Sequence, residues 1–280
     1  MRRSLQGVEM AQRFRNEMVG LMRFSYPSKG GFVKGEGEDE AAQLARLYDP
    51  ERLERRFSLF ERLTLPALLA QSDRDFRMVF LIGRSLPDVW RDRLAAAIAP
   101  LPGGRIVALA PMPHYMAIKR SFAIATPVEA SHITGFRLDD DDAIDRDHIG
   151  RMRGMVERLL PVSGLEVPLV TGCNRGFFLE RKPDGNQLFE VTEKTPIGLG
   201  LAMTTPAGMS ENIFRRNHRF CGQYYNTFTD ANALAFIRTV HADNDSDPHA
   251  SGRIEPMGWA EAAPLIAAHF PFAAEDLRRL

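Results

Sequence analysis

Residues 133–149 read ITGFRLDDDDAIDRDHI, with four adjacent aspartates, Asp139 to Asp142, directly behind a short apolar run. Residues 133–138 alternate apolar and polar side chains and are rich in β-branched and aromatic types, which is the pattern of a strand. From about residue 147 to 160, Ile149, Met152, Val156 and Leu159 recur at helical spacing, so this segment reads as a helix packing one face on a sheet, with Asp145 or Asp147 at its N-cap. The acidic run therefore falls between the carboxyl end of a strand and a helix, the edge of an open α/β sheet where ligands bind. Four like charges side by side repel one another, so the fold must surround them with cations or hydrogen-bond donors. Strand-like alternation would point Asp139 and Asp141 one way and Asp140 and Asp142 the other, presenting two carboxylates to one hard divalent cation. The alternative is a solvated acidic loop with helix-capping duty.

Upstream, residues 19–25 (VGLMRFS) read as a first strand, followed by a long Gly-rich, charged loop, YPSKGGFVKGEGEDE, of the kind that is often functional. A helical stripe of Leu53, Phe57, Phe60 and Leu63 begins at Pro50, and TLPALLAQ reads as a fresh helix with Thr64 as cap and Pro66 in its first turn. Residues 76–82 read as a buried strand. Residues 87–99 read as a helix with Val89, Trp90, Leu94 and Ile98 facing inward, and residues 105–110 as a third strand. Alternation of strand and helix up to the aspartates predicts a mostly parallel, doubly wound sheet flanked by helices.

Beyond Leu160 the pattern changes to short strands at residues 169–171, 177–180, 188–191 and 198–203, with KPDGN at 182–186 as a hairpin turn. A helix near residues 211–220, an aromatic stretch at 224–228, a strand at 235–240 ending at His241, and a C-terminal helix in GWAEAAPLIAAHF complete the reading. This half is expected to be mixed or antiparallel. No repeat or linker is visible, so residues 18–280 read as a single domain in two halves, 18–160 and 161–280, behind a flexible arm of residues 1–17.

The chain has 280 residues, 44% of them hydrophobic, enough for a substantial core. Lys plus Arg balance Asp plus Glu at 36 each, so no net field draws nucleic acid. Cys173 and Cys221 share no C-x-x-C spacing, which argues against a zinc site or a disulfide framework and for a reducing, cytoplasmic setting. No stretch reaches the roughly 18 apolar residues of a membrane span. Arg2, Arg3, Arg13 and Arg15 suit either a disordered arm or peripheral contact with an anionic membrane.

The segments LMRFS, RRFSLFERLTLPALLAQSDRDFRMVFLI, GFRLDDDDAI and RTVHADNDS, spread over residues 18–246, resemble the rhamnosyltransferase family of bacterial glycosyltransferases, relatives of nucleotide-sugar enzymes with the GT-A fold. The resemblance implies a Rossmann-type sheet whose residues 18–160 bind a nucleoside-diphosphate sugar and whose residues 161–280 receive a saccharide or other hydroxyl acceptor. It implies that the acidic run contains the Asp-x-Asp motif, with Asp139 in the ribose or metal shell, Asp141 on Mn²⁺ or Mg²⁺, and Asp140 and Asp142 in supporting or capping roles. It places His241 on the metal or diphosphate, against the alternative of a structural histidine. Arg23, Phe24 and Tyr26 fall where these enzymes cradle the base, with a core position as the equal alternative for Phe24; Asp140, Lys119 and Arg120 fall near the diphosphate; His218 is open to the same two roles as His241, and Arg215, Arg216 and Arg219 either meet phosphates or form a solvated face. Asp73 and Asp75 read as turn residues.

Neutralising the charge that grows on a departing diphosphate is the chemistry such a carboxylate-held cation serves. An inverting transferase also needs a carboxylate base from the second half, for which Glu190, Glu193, Glu211 and Asp230 are candidates and Glu193 is preferred, against the alternative of a structural ion pair; a retaining mechanism stays open beside the inverting one. The expected function is metal-dependent sugar transfer, with a sugar nucleotidyltransferase or a non-catalytic carbohydrate- or metal-binding protein as alternatives.

Overall fold

The computed structural model describes residues 14–30, 39–241, 244 and 250–280. The first strand, β1 (Asn16–Arg23), carries a fully apolar, buried centre from Met18 to Met22. Burial on both faces is the mark of a strand inside a parallel sheet covered on both sides. β1 accordingly runs parallel to β2 (Arg77–Gly83) on one side and to β4 (His132–Arg137) on the other, and β2 runs parallel to β3 (Gly104–Leu109). Parallel neighbours need crossovers. These are α1 (Glu40–Leu47), α2 (Pro50–Leu59) and α3 (Leu65–Leu69) after β1, α4 (Asp88–Ile98) after β2, and α5 (His114–Ala125) after β3.

The order β3-β2-β1-β4 means that the chain steps outward from β1 in one direction and returns to its other side for β4. Such a reversal opens a crevice beyond the carboxyl ends of the two diverging strands. Arg23 closes β1 there, and the four aspartates follow β4 there.

Past β4 the sheet turns antiparallel, as expected, through β8 (Ala202–Pro206), β6 (Leu169–Glu180), β7 (Gln187–Thr192) and β10 (Arg253–Met257). The 15-residue β9 (Asn226–Val240) lies parallel to β6 and antiparallel to the short β5 (Ala143–Ile144) just after the aspartates. That pairing carries His241 back to the acidic loop. Helices α6 (His148–Ser163), α7 (Trp259–His269) and α8 (Ala274–Arg278), with a 3₁₀ turn at His218–Gln223, cover the remainder.

Several sequence expectations are corrected. The arm ends earlier than residue 17, because Asn16 and Glu17 already pair with His132 and Ile133; residues 1–13 lie outside the described residues, as do 31–38 of the Gly-rich loop. That loop gives way to α1, which Asp39 caps by accepting from the Ala42 amide. Thr64 is not a cap: a π turn at Phe60–Thr64 joins α2 to α3 without a break. The wider turn sits where the Pro66 ring would otherwise meet the carbonyl four residues back. Val89 faces solvent at 68% exposure, whereas Leu94 and Ile98 are buried.

The segments at 169–171 and 177–180 form one strand, because Gly172 and Gly176 mark close approaches rather than turns. A Cβ at Gly172 would come within 2.6 Å of Leu201, and one at Gly176 within 2.4 Å of the Phe236 ring. β8 begins at Ala202 rather than near 198. No helix forms at 211–217, where Asn212 and Asn217 accept from the amides of Phe214 and Arg219 in local turns that compete with helix.

The core packs on both sheet faces. On one, Met22, Phe24, Phe57, Phe60, Phe80 and Phe136 interlock; on the other, Val19, Leu21, Val79 and Leu81 meet Ile118 and Phe122 of α5. The buried face of α2 also carries two arginines. Arg52 donates to Ser25 Oγ at 3.1 Å and the Leu47 carbonyl at 3.2 Å. Arg56 forks onto Asp140, Nε to Oδ2 at 2.8 Å and the terminal nitrogen to Oδ1, with Asp140 fully buried. Removing one partner of a buried pair strands the other charge. Arg56→Met is therefore expected to lower stability by about 3–5 kcal/mol at pH 7.5. The loss should shrink at pH 5, where the stranded carboxyl can protonate; urea unfolding at the two pH values checks this, and a small, pH-independent loss would contradict it.

Candidate active site

Each aspartate of the run has its own partner. The chain turns at Asp140 and Asp141, so strict strand alternation does not hold and the four carboxylates diverge. Asp139 faces Arg23, 3.4 Å away, and Arg137, 4.0 Å away. Asp140 points back to Arg56. Asp141 Oδ2 lies 3.1 Å from His241 Nε2 and accepts from Asn244 Nδ2 at 3.3 Å. Asp142 Oδ1 accepts from the Thr239 amide at 3.0 Å, while the Thr239 hydroxyl donates to the Asp141 carbonyl. Charge distribution follows these contacts. Burial raises the Asp139 pKa but Arg23 and Arg137 outweigh it and hold the group below the usual carboxylate range. Burial lifts Asp140 to about 6 despite Arg56, and lifts Asp142 well above its ordinary value, with the neighbouring Asp141 adding to both.

The cationic side of the crevice comes from Arg23, Arg137 and Arg238. Leu21 and Arg137 are register partners on β1 and β4, which sets Arg137 beside Arg23. Arg137 Nε is buried without a hydrogen-bond partner among the described residues, and its guanidinium lies 5.1 Å from the Phe214 ring. Gly198 leaves it room, since a Cβ there would stand 3.1 Å from that nitrogen. A buried, incompletely bonded guanidinium is a fork waiting for an anion. Two histidines border this charge. His114, at the start of α5, sits 3.3 Å from Arg23, and burial followed by Arg23 and Arg137 pushes its pKa down to about 4. His218 is pushed down to about 3, by burial first and then by Arg137, Arg219 and Arg238. Both rings are neutral at physiological pH, and the cations stay with the arginines.

The structure thus brings Arg23, Asp139, Asp141, His218 and His241 to one crevice. It takes others elsewhere. Phe24 is fully buried, edge-on to Phe57 and Phe60 at centroid distances of 4.8 and 5.4 Å, so of the two roles open to it, base stacking and core packing, the structure gives it the core one. Tyr26 is likewise packed, its hydroxyl donating to the Ala110 carbonyl and accepting from the Met112 amide, which pins the end of β1 to that of β3. Asp140 is committed to Arg56 and is not placed to meet a diphosphate. Of α5, it is His114 that meets Arg23; Lys119 lines a separate groove beside Phe122 and Met203, and Arg120 faces outward.

Among the base candidates, Glu190 pairs with Arg175, Glu211 accepts from Tyr225, and Asp230 caps the turn at Asn232. Glu193 differs. It is buried, its Oε2 accepts from the Ser251 amide and hydroxyl, and its Oε1 has no partner among the described residues. Asp73 accepts from the Asp75 amide in a local turn, as expected, and also binds Arg153.

Sequence reasoning missed Arg56, Arg137, His114 and Asn244. Arg137, two residues before Asp139 on the predicted strand, carried the one local signal: a cation at the mouth of the site. For a metal, the donor set is mixed: the carboxylates of Asp141 and, two residues away, Asp139 are hard oxygen donors that suit Mg²⁺ or Mn²⁺, whereas the His241 imidazole beside Asp141 is a borderline nitrogen donor that Mn²⁺ accepts more readily than Mg²⁺. Among the described residues no three His, Cys, Asp or Glu side chains already converge as a cage; Asp141 and His241 are the pair in contact. Asp243 and Asp245 lie outside the described residues.

The neutral histidines carry a pH signature. With folded pKa values of about 3 and 4 against an ordinary 6.5, the unfolded chain binds more protons than the folded one below about pH 6.5. Their share of stability is whole above that pH and is lost as pH falls toward 4. His218→Gln should flatten the fall in melting temperature between pH 6.5 and pH 4 relative to the unmodified protein; an unchanged slope would contradict the burial of a neutral ring.

Comparison with solved structures finds S. aureus TarS residues 1–349 in complex with UDP-GlcNAc, at 8% identity and a TM-score of 0.44, covering 82% of this chain and 60% of that one. It also finds a "putative nucleotide-diphospho-sugar transferase" from Desulfovibrio desulfuricans G20, at 6% identity and a TM-score of 0.36, covering 81% of each chain. The chain thus spans 60% of the length of the S. aureus structure. No curated protein matches the sequence. The family model described as "Putative rhamnosyl transferase" matches residues 17–253, most of the chain and the whole of the crevice described above. The protein belongs to that family.

Proposed function

We propose that the protein is a metal-dependent glycosyltransferase that moves a sugar, rhamnose by the family's description, from a nucleoside-diphosphate donor to a hydroxyl of a saccharide or other acceptor. The observation that supports this reading most is the convergence of Arg23, Arg137, Asp139 and the Asp141–His241 pair at the reversal point between β1 and β4. A diphosphate brings at least two negative charges. Arg23 and Arg137 meet them with planar forks, and Arg238 adds positive charge from β9. The divalent cation would be held by Asp141 and His241 with Asp139, and would supply charge neutralisation at the leaving diphosphate.

In the transfer itself, the acceptor oxygen bonds to the anomeric carbon as the bond from that carbon to the phosphate oxygen breaks, and the electron pair leaves on the diphosphate. The acceptor proton goes to Glu193. Its Oε2 is anchored by Ser251, which fixes the carboxylate; Oε1, buried and without a hydrogen-bond partner among the described residues, is the oxygen we propose takes the proton. The neutral His114 and His218 add hydrogen-bonding capacity beside the arginines without further charge.

Release of nucleoside diphosphate from a panel of UDP-, GDP- and dTDP-sugars, with Mn²⁺ or Mg²⁺ and with EDTA, tests the reading. Chelator-sensitive release from one donor class is expected; absence of turnover with any donor and any hydroxyl acceptor would overturn it. Glu193→Gln should cut turnover by about 10²–10⁴-fold with donor affinity unchanged. Arg137→Met should weaken nucleoside-diphosphate binding on the order of 10–100-fold in calorimetry; equal affinities would remove Arg137 from the site.

A further inference from the structure

The apolar side chains that stay in water are concentrated on one part of the surface. Of the eleven large hydrophobic residues exposed among the described residues, Met116, Ile124, Val128, Met209, Phe220 and Tyr224 lie on α5, on the turn after it, or on the segment 207–224 that runs beside it. Specific contacts join these pieces. Tyr115 of α5 donates its hydroxyl to the Ser210 carbonyl at 2.7 Å, and Arg215 lies over the Tyr115 ring at 4.8 Å. Arg216 lies over Tyr224 at 4.4 Å. Between α5 and residues 207–212 runs an open groove of about 380 Å³, walled by Phe122, Val128, Met203 and Met209 with Lys119 at its edge.

The charge on this surface is mostly positive. Lys119, Arg120, Arg215, Arg216 and Arg219 border the apolar residues, against the exposed Glu129 beside Val128 and Glu211, which Tyr225 and Arg215 engage. Met116, Arg120 and Ile124 follow one another at four-residue spacing, so α5 presents an exposed stripe in which a cation stands between two apolar side chains. Scattered apolar residues on a surface need no explanation, but a cluster rimmed by cations does. The chemistry of the cluster selects its occupant. Met, Ile and Val offer no flat face to stack on a sugar and fit hydrocarbon; Phe and Tyr suit the boundary between hydrocarbon and headgroup; arginines reach lipid phosphates while their stems stay in apolar surroundings.

We propose that α5 and residues 207–224 form the face by which this protein docks, peripherally, on a bilayer containing anionic lipids. No described helix is long and apolar enough to cross a membrane, so the contact is interfacial. The docking face adjoins the crevice through Phe214, which packs against Phe122 on one side and under Arg137 on the other. A docked molecule thereby holds its sugar-transfer site next to the lipid surface.

Flotation of the full-length protein with vesicles of phosphatidylcholine alone, and with phosphatidylglycerol added, tests the proposal. Partition onto the anionic vesicles only, falling as salt is raised, is expected. The pair Arg215→Glu with Arg216→Glu, and separately Met116→Ser with Ile124→Ser, should each lower that partition by roughly tenfold or more. Circular dichroism and an unchanged melting temperature show that both variants fold. The proposal is overturned by failure to bind anionic vesicles, by binding that both variants retain and that substitution of Arg2, Arg3 and Arg13 abolishes, or by retention on an acidic polysaccharide without retention on vesicles.

Discussion

Four adjacent carboxylates cannot share one environment, and the structure meets that constraint by giving each a partner from a different element. Asp139 takes Arg23 and Arg137 from β1 and β4, Asp140 takes Arg56 from α2, Asp141 takes His241 and Asn244 from beyond β9, and Asp142 takes the Thr239 amide of β9. The arrangement locks the first half of the chain to the second. Leaving any one of these carboxylates ionised and alone in the interior would cost more than the contact itself contributes. The acidic run is therefore the place where the fold closes as well as the centre of the proposed site.

That division of labour shapes the electrostatics of the crevice. Asp140 and Asp142, raised by burial, are held inward and carry structure. Asp139 and Asp141 stand at the crevice beside Arg23, Arg137 and Arg238. Because arginine does not give up its proton at physiological pH, the repulsion around these cations is relieved by the histidines, which His114 and His218 do by staying neutral. The result is a crevice with fixed positive charge, suited to the phosphates of the proposed donor, and two carboxylates at its edge.

What could be read in the sequence was local. The strand before Asp139, the helix after Asp147, the parallel order of the first half and the hairpin at KPDGN each rest on periodicity or turn chemistry within a few residues. What escaped depends on the far ends of long contacts. Arg56 reaches Asp140 across 84 positions and Asn244 reaches Asp141 across 103, and neither separation leaves a trace in any window of sequence. Glycine misled for a related reason: Gly172 and Gly176 look like breaks but are close-packing positions in one strand whose neighbours, Leu201 and Phe236, are remote. The rings of Phe24 and Tyr26 were assigned by the motif around them, while burial against Phe57, Phe60 and Ala110 decides their role.

The four aspartates do different work, and Mn²⁺ titration followed by electron paramagnetic resonance on the four single Asp→Asn variants is the experiment that separates their roles. One Mn²⁺ site is expected in the unmodified protein, tightened by nucleoside diphosphate and lost or greatly weakened in Asp141→Asn. Asp139→Asn should weaken it, whereas Asp140→Asn and Asp142→Asn should retain Mn²⁺ and alter unfolding stability instead. Equal loss of Mn²⁺ binding across all four, or none in any, would contradict this division of roles.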